Sequence, residues 1–285
     1  MLRKAASGDQ AGIDAFLAKH PNSSMFLRSN LASHGIGQSD HRHATDFYLS
    51  EVDDTLEGMV GVTRQGFVMC QAPQVSGEVW QGFAAALQAH KVAGLNGEDT
   101  QISKLNQALN FGQDDFSFNH VEPLFRLDLA GLRIPDVDTR LPDVRDLDQL
   151  TRWFMAYNRD TGLPVGKNGP LQDAIARAHS AIDSRNTRLL MVEGQSVAMT
   201  SFNARYGDMV QIGGVYTPPE HRNKGYARQV VASHLAEVLV VGINTAILFA
   251  NNEAAARAYQ AIGFTQIGHY RVSVLKTPRE PGAPL

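Results

Sequence analysis

Apolar residues recur along this chain in two rhythms, every second position and every third or fourth, and the rhythms alternate. Ile13, Phe16 and Leu17 give one apolar face to a helix over Ala11–Lys19, which His20-Pro21-Asn22 ends. Phe26, Leu27 and Leu31 give a second over Ser24–Leu31. Three strands with tight connections follow, Phe47–Glu51, Leu56–Arg64 and Gly66–Cys70, with turns at Asp53-Asp54 and Gln65-Gly66. Val79–His90 is a helix with Trp80, Phe83, Ala84 and Leu87 inward. Val92–Leu95 is a short strand, and Asp99 or Thr100 caps the helix reaching Leu109. Phe116–Phe118 and Leu124–Leu129 finish this half as strands.

Gly131–Pro142 is polar, proline-bearing and without helical period, and the programme then restarts. Asp143–Tyr157 and Pro170–Ser184 are helices, the second opening on a proline suited to a first helical position. Between them runs the Gly/Pro-rich loop Asn158–Gly169. Leu189–Glu193, Ser196–Ala204 and Val210–Thr217 are strands, with reversals at Gly194 and Tyr206-Gly207-Asp208. The helix Arg228–Val240, the strand Thr245–Ala250, the helix Glu253–Ile262 and a last strand or bent pair Thr265–Leu275 complete the order, before an exposed tail Thr277–Leu285. The stretch from Val92 to Gly97, a helix and Phe111 echoes Thr245–Asn251, a helix and Phe264. The chain is therefore expected to be an α/β protein of two tandem copies of one small unit, residues 1–134 and 135–285.

The chemistry concentrates in Ile212–Ala227, IGGVYTPPEHRNKGYA. An apolar strand ends in Pro218-Pro219, and a basic loop runs into a helix whose start contains Gly225 and Ala227. Strand, glycine-bearing turn and helix in that order gather backbone N–H groups around a phosphate. Arg222 and Lys224 can add charge-assisted bonds. Gly213-Gly214 within a strand cost stability unless something approaches the backbone closely.

Arg222-Asn223-Lys224-Gly225-Tyr226-Ala227 resembles the Arg/Gln-x-x-Gly-x-Gly/Ala signature of the GCN5-related N-acetyltransferase (GNAT) superfamily. The resemblance implies two tandem GNAT-like domains, each a mixed, mostly antiparallel sheet flanked by helices, the N-terminal copy degenerate. It implies that Arg222, Asn223, Lys224, Gly225, Tyr226 and Ala227 hold the pyrophosphate of acetyl-CoA. Val215, Tyr216 and Thr217, at the end of the family's splayed fourth strand, would meet the pantetheine arm. Of Asn251 and Asn252, one would cap the following helix and the other bond the pantetheine amide, with Ala255 in the thin helix wall. The ending Ala255–Phe264, AARAYQAIGF, puts Tyr259 where the family has a general acid for the departing thiolate. The implied activity is acetyl transfer to a primary amine of a small molecule or peptide, by direct attack in a ternary complex. The alternative is a non-catalytic acyl-CoA-binding or regulatory protein that keeps the phosphate loop. Unlike many members, the strand Val210–Thr217 carries no carboxylate to serve as base; Glu193, Asp208, Glu220 and His221 are the neighbours available. The acceptor is expected against Asn158–Gly169, with Arg159, Asp160 and Lys167, and against a face of the N-terminal half.

Composition narrows the remaining classes. A net charge of -3 and no basic stripe with aromatics argue against a nucleic-acid partner. Neither Gly-x-x-x-x-Gly-Lys-Ser/Thr nor Gly-x-Gly-x-x-Gly after a strand occurs, which argues against a nucleotide-binding P-loop or Rossmann unit. The lone Cys70, the absence of a long apolar run and the lack of a leader-like N-terminus lead to the expectation of a cytoplasmic chain with no membrane partner. A homodimer is allowed. His34, His41 and His43 lie in a polar segment without a further ligand, and are read as a solvated loop; no metal is expected. The N-terminal counterpart of the phosphate loop, Pro73–Gly82, has no Arg or Lys and carries Glu78, so no cofactor is expected there.

Overall fold

A computed structural model describes residues 1–165 and 169–282. The chain divides into two compact units, one formed by Met1–Glu122 with the segment from Gly268 onward, the other by Pro123–Ile267. The first unit contains β1 (Leu2–Lys4), α1 (Gln10–Leu17), α2 (Met25–His34), β2 (Thr45–Val52), β3 (Thr55–Thr63), β4 (Phe67–Gln71), α3 (Gly77–Leu87), β5 (Val92–Glu98), α4 (Asp99–Leu109) and the start of β6 (Phe116–Asp128). The second takes up the rest of β6 and adds β7 (Asp138–Arg140), α5 (Leu147–Thr161), α6 (Pro170–Asp183), β8 (Thr187–Val192), β9 (Gln195–Tyr206), β10 (Met209–Tyr216), α7 (Tyr226–Leu239), β11 (Thr245–Phe249) and α8 (Glu253–Gln260). A last strand, β12 (Thr265–Arg279), begins in the second unit and lies mostly in the first.

The same topology is built twice. In the first unit the strands run β1-β2-β3-β4-β5-β12, antiparallel except for the pair β4/β5. In the second they run β7-β8-β9-β10-β11-β6, antiparallel except for β10/β11. Each parallel pair is joined by one crossover helix, α3 or α7, as a parallel connection requires. Alternation along the strands then fills two faces in each unit. Met59 packs with Ile13, Phe16 and Leu31 while its neighbour Val60 packs with Trp80, Phe83 and Ile102. Leu189 packs with Leu150, Phe154 and Ala178, and Leu190 with Val231, Leu235 and Phe264.

The division of the chain differs from a cut at 134/135. Strand β12, from the end of the sequence, pairs Tyr270–Val274 with Glu98–Gly94 in the first unit. The second part of β6, from the first half of the sequence, pairs Leu124–Asp128 with Phe249–Thr245 in the second unit. Each unit thus takes a strand from the other half of the sequence. Local periodicity identifies a strand but is blind to which sheet edge accepts it, so the proline-bearing stretch reads as a boundary although the chain has already changed units. For the same reason β6 reads as two short strands and is one of 13 residues. The carboxylate of Glu98 caps α4, accepting from the N–H of Thr100 at 3.1 Å and Gln101 at 3.0 Å, in place of Asp99 or Thr100. The three histidines of the polar segment are in ring contact, His34 with His41 at 4.3 Å and His41 with His43 at 5.3 Å. No group of three potential metal ligands forms among the described residues.

Glu122 ends the first unit's share of β6, and burial pushes its carboxyl up from 4.5 to about 7. A raised acid favours the folded state while protonated, so its contribution is complete below pH 4.5 and is lost as pH rises through about 7. Glu122→Gln should flatten this interval: wild type loses stability relative to the variant from about pH 5 to about pH 7.5 in chemical denaturation, and parallel curves would refute the burial.

Candidate functional site

Strands β10 and β11 pair in parallel only from Met209↔Thr245 to Ile212↔Leu248. Beyond Ile212 the remaining four residues of β10 have no partner on β11. On the other side, Gly213 faces Ser201 but Tyr216 faces Met199, so three steps on β10 meet two on β9 and the strand bulges. Both glycines serve that bulge. A Cβ on Gly213 would lie 1.9 Å from Asn203 Nδ2, and Gly214 has φ +59°. The close approach that the glycines signal therefore comes, for Gly213, from Asn203. The bulge turns Val215 toward the apolar cluster under α7 and Tyr216 toward Trp153 of α5, with ring centroids 6.0 Å apart.

Past β10, Pro219–His221 forms one turn of tight helix, and Asn223 (φ 63°) and Gly225 (φ 80°) take left-handed conformations before α7. The first amide after Arg222 with an acceptor is Gln229, bonded to the Gly225 carbonyl at 3.2 Å. Among the described residues, the N–H groups of Asn223, Lys224, Gly225, Tyr226, Ala227 and Arg228 have no acceptor. Six successive orphan donors at a helix start form an anion cradle, and the helix dipole adds to it. The exposed Lys224 can supply a cation there. Arg222 is differently placed. Its Nε donates to the Thr217 carbonyl at 3.0 Å and its Nη2 to Asp160 Oδ2 at 2.6 Å, so it braces the loop against the end of α5.

Asn252 caps α8, its Oδ1 accepting from the Ala255 N–H at 2.9 Å, and its Nδ2 donates to Asn251 Oδ1 at 2.9 Å. The cap is thus Asn252, and Asn251 is the exposed amide at the end of β11. Ala255 and Tyr226 flank the same apolar cluster as Val215, and Tyr259 lies within it, 7% exposed, its ring 6.0 Å from that of Phe264 in a T-shaped contact. The chosen residues therefore gather at one end of the second unit, where β10 and β11 separate. Glu193, Asp208 and Glu220 are all exposed there or at turns; none stands on β10. Lys167 lies outside the described residues, while Asn158, read as loop, is buried on α5.

The residues present fit a CoA thioester. The orphan amides 223–228 suit its pyrophosphate, the unpaired edge of β10 suits an amide-bearing arm, and the buried Thr217 Oγ1 lacks a partner among the described residues. In the first unit the amides 74–79 likewise have no acceptor among the described residues, but the surroundings differ. Gln101, third residue of α4 as Ala255 is of α8, is buried and accepts the Ala72 N–H at 2.6 Å, just past β4. Strand β4 keeps unbroken register with β3, and α3 opens with Glu78.

This architecture is the GNAT acetyltransferase fold. The chain resembles a GNAT-family acetyltransferase from Colwellia psychrerythraea at 15% identity and TM-score 0.56, over 97% of this chain and 100% of that one. A GCN5-related N-acetyltransferase from Sphaerobacter thermophilus matches at 14% and 0.59, over 100% and 97%. A tandem GNAT protein from the clavulanic acid biosynthesis pathway matches at 13% and 0.58, over the whole of both chains. Residues 192–273, which run from β8 to β12 and include the cradle and Tyr259, match the family model of FR47-like protein, which supports the GNAT superfamily. No curated protein matches the chain. Among the described residues, no helix is long and apolar enough to cross a membrane.

The two asparagines should separate on mutation. Asn252→Ala removes the cap and should cost about 1 kcal/mol, whereas Asn251→Ala should leave stability within about 0.5 kcal/mol. Urea denaturation of both variants checks this; equal losses would place the cap elsewhere.

Proposed function

We propose that the second unit is an N-acetyltransferase that takes acetyl-CoA and a primary amine together and transfers the acetyl group directly. The observation that carries this reading is the meeting of the β10/β11 separation with six orphan amide donors at one end of the sheet. The cradle Asn223–Arg228 would take the pyrophosphate, with Lys224 beside it. Asn251 and the free edge of β10 would take the amides of the arm. Ala255 leaves the wall of α8 thin where Gln101 closes the other unit. The family likeness of the segment 192–273 supports acyl-CoA as donor.

Most of the acceleration on this reading comes from holding amine and thioester in contact. An N–H of Val215 or Tyr216 stabilises the oxyanion that develops as nitrogen attacks the carbonyl. Tyr259 gives its phenol proton to the sulfur as the C–S bond breaks. The ammonium proton leaves through water, since β10 carries no carboxylate.

Tyr259→Phe keeps the ring against Phe264 and removes only the proton donor. Turnover should fall by about 10²–10⁴-fold if thiolate departure limits the rate, with the KM for acetyl-CoA little changed. Steady-state kinetics with an amine panel checks both claims. An unchanged kcat where chemistry limits the rate would leave Tyr259 a core aromatic, and no transfer to any amine would favour the non-catalytic alternative.

A further inference from the structure

The helices α5 and α6 meet through Leu150, Trp153, Phe154, Ala174, Ala178 and Ala181, and one cation stands in that apolar contact. The guanidinium carbon of Arg177 lies 4.6 Å from the ring centroid of Phe154 and 5.2 Å from that of Tyr157. Its Nη1 donates to Asn158 Oδ1 at 2.5 Å. The nearby carboxylate of Asp173 does not pair with it, but accepts from Asn158 Nδ2 at 3.1 Å. In the same unit Arg140, Arg188, Arg222 and Arg257 each have a carboxylate partner. Among the described residues, Arg177 makes no ion pair.

That arrangement leaves a partly buried charge without an ion-pair partner among the described residues. Burial disfavours the charge and pushes the group's pKa down, yet a guanidinium keeps its proton at neutral pH. For packing two helices alone, an apolar side chain would serve better. One of five N–H donors is used within the protein, and none of the others is sealed off without a partner. Held beside two rings and bonded to Asn158, the guanidinium is restrained, which suits a bidentate bond to an oxyanion. The location fits a substrate group. Tyr157, whose ring lies beside Arg177, shares a face of α5 with Trp153, four residues before it, and Asp160, three after it; Trp153 packs on Tyr216 at the end of β10, and Asp160 holds Arg222 of the basic loop at 2.6 Å.

We propose that Arg177 reads the acceptor: it binds a carboxylate or similar oxyanion carried by the amine substrate, so that the acceptors are amino acids or other anionic amines. This rests on the transferase reading above and names its substrate class. The guanidinium supplies charge and a planar fork, and the aromatic pair supplies its orientation.

The test pairs amino acids of increasing chain length, glycine to 6-aminohexanoate, with their carboxamides, and adds aminomethylphosphonate as a second oxyanion. Each is assayed with acetyl-CoA on wild type, Arg177→Met and Arg177→Lys. Wild type should favour at least one acid over its amide by about tenfold to a hundredfold in kcat/KM. Arg177→Met should erase that preference by raising KM for the acid while the amide stays within about twofold, and Arg177→Lys should restore part of it. Equal rates for acids and amides in wild type, or equal losses on both in Arg177→Met, would overturn the proposal. A preference confined to the phosphonate would overturn the carboxylate and keep the oxyanion. Ligand-observed NMR without acetyl-CoA separates the two readings. Acid binding lost in Arg177→Met, with no transfer to any amine, would sink the transferase and leave the anion site standing. Binding of acetyl-CoA with no acid bound would sink the anion site alone. If Arg177→Met does not fold, the wild-type comparison and Arg177→Lys decide.

Discussion

Backbone amides inside a protein need partners, and in the second unit that requirement stands open where β10 parts from β11. Strand β10 leaves β11 after Ile212, and the chain then passes through a loop and helix start whose amides 223–228 have no acceptor among the described residues. Everything else near the site keeps that opening in being. Gly213 and Gly214 allow the bulge that turns β10 away, and Arg222 ties the loop to Thr217 and Asp160. Asn252 fixes the start of α8 on the far side. An internal partner would have closed the gap. Among the described residues no internal partner does so, and the opening stands at a strand pair that runs parallel.

The first unit repeats the topology and, among the described residues, has its own run of unpaired amides at 74–79. Its parallel pair β4/β5 and crossover α3 repeat β10/β11 and α7, yet β4 has no bulge and Gln101 occupies the position of Ala255. One side chain, placed in the first turn of α4, accepts the Ala72 N–H. The framework is thus present in both copies, while the strand bulge and the basic loop stand in one.

Much of this was legible in the sequence because it is local. The strand-to-helix order, the paired glycines, the loop Arg222–Ala227 and the ending around Tyr259 are set by residues a few positions apart, and spacing reports them. The Gln101 plug, by contrast, joins residues 29 apart in sequence. The partner of Arg222 is Asp160, 62 residues away, so the charge expected on a phosphate is seen bracing α5. The reciprocal exchange of β6 and β12 reaches further still, and no period or turn signal encodes it. Arg177 escaped notice because an arginine on an amphipathic helix looks like surface until the rings of Phe154 and Tyr157 are found beneath it.

The central claim is that one unit, and only one, is built to hold acetyl-CoA through its backbone. Calorimetric titration of the intact chain with acetyl-CoA tests it most directly, alongside Gly225→Val, which puts a branched side chain in the amide cradle at a residue with φ 80°. A thermal melt establishes that the variant is folded. The account predicts one site per chain in wild type and no measurable binding in the folded variant. Two sites per chain, or undiminished affinity in Gly225→Val, would contradict it.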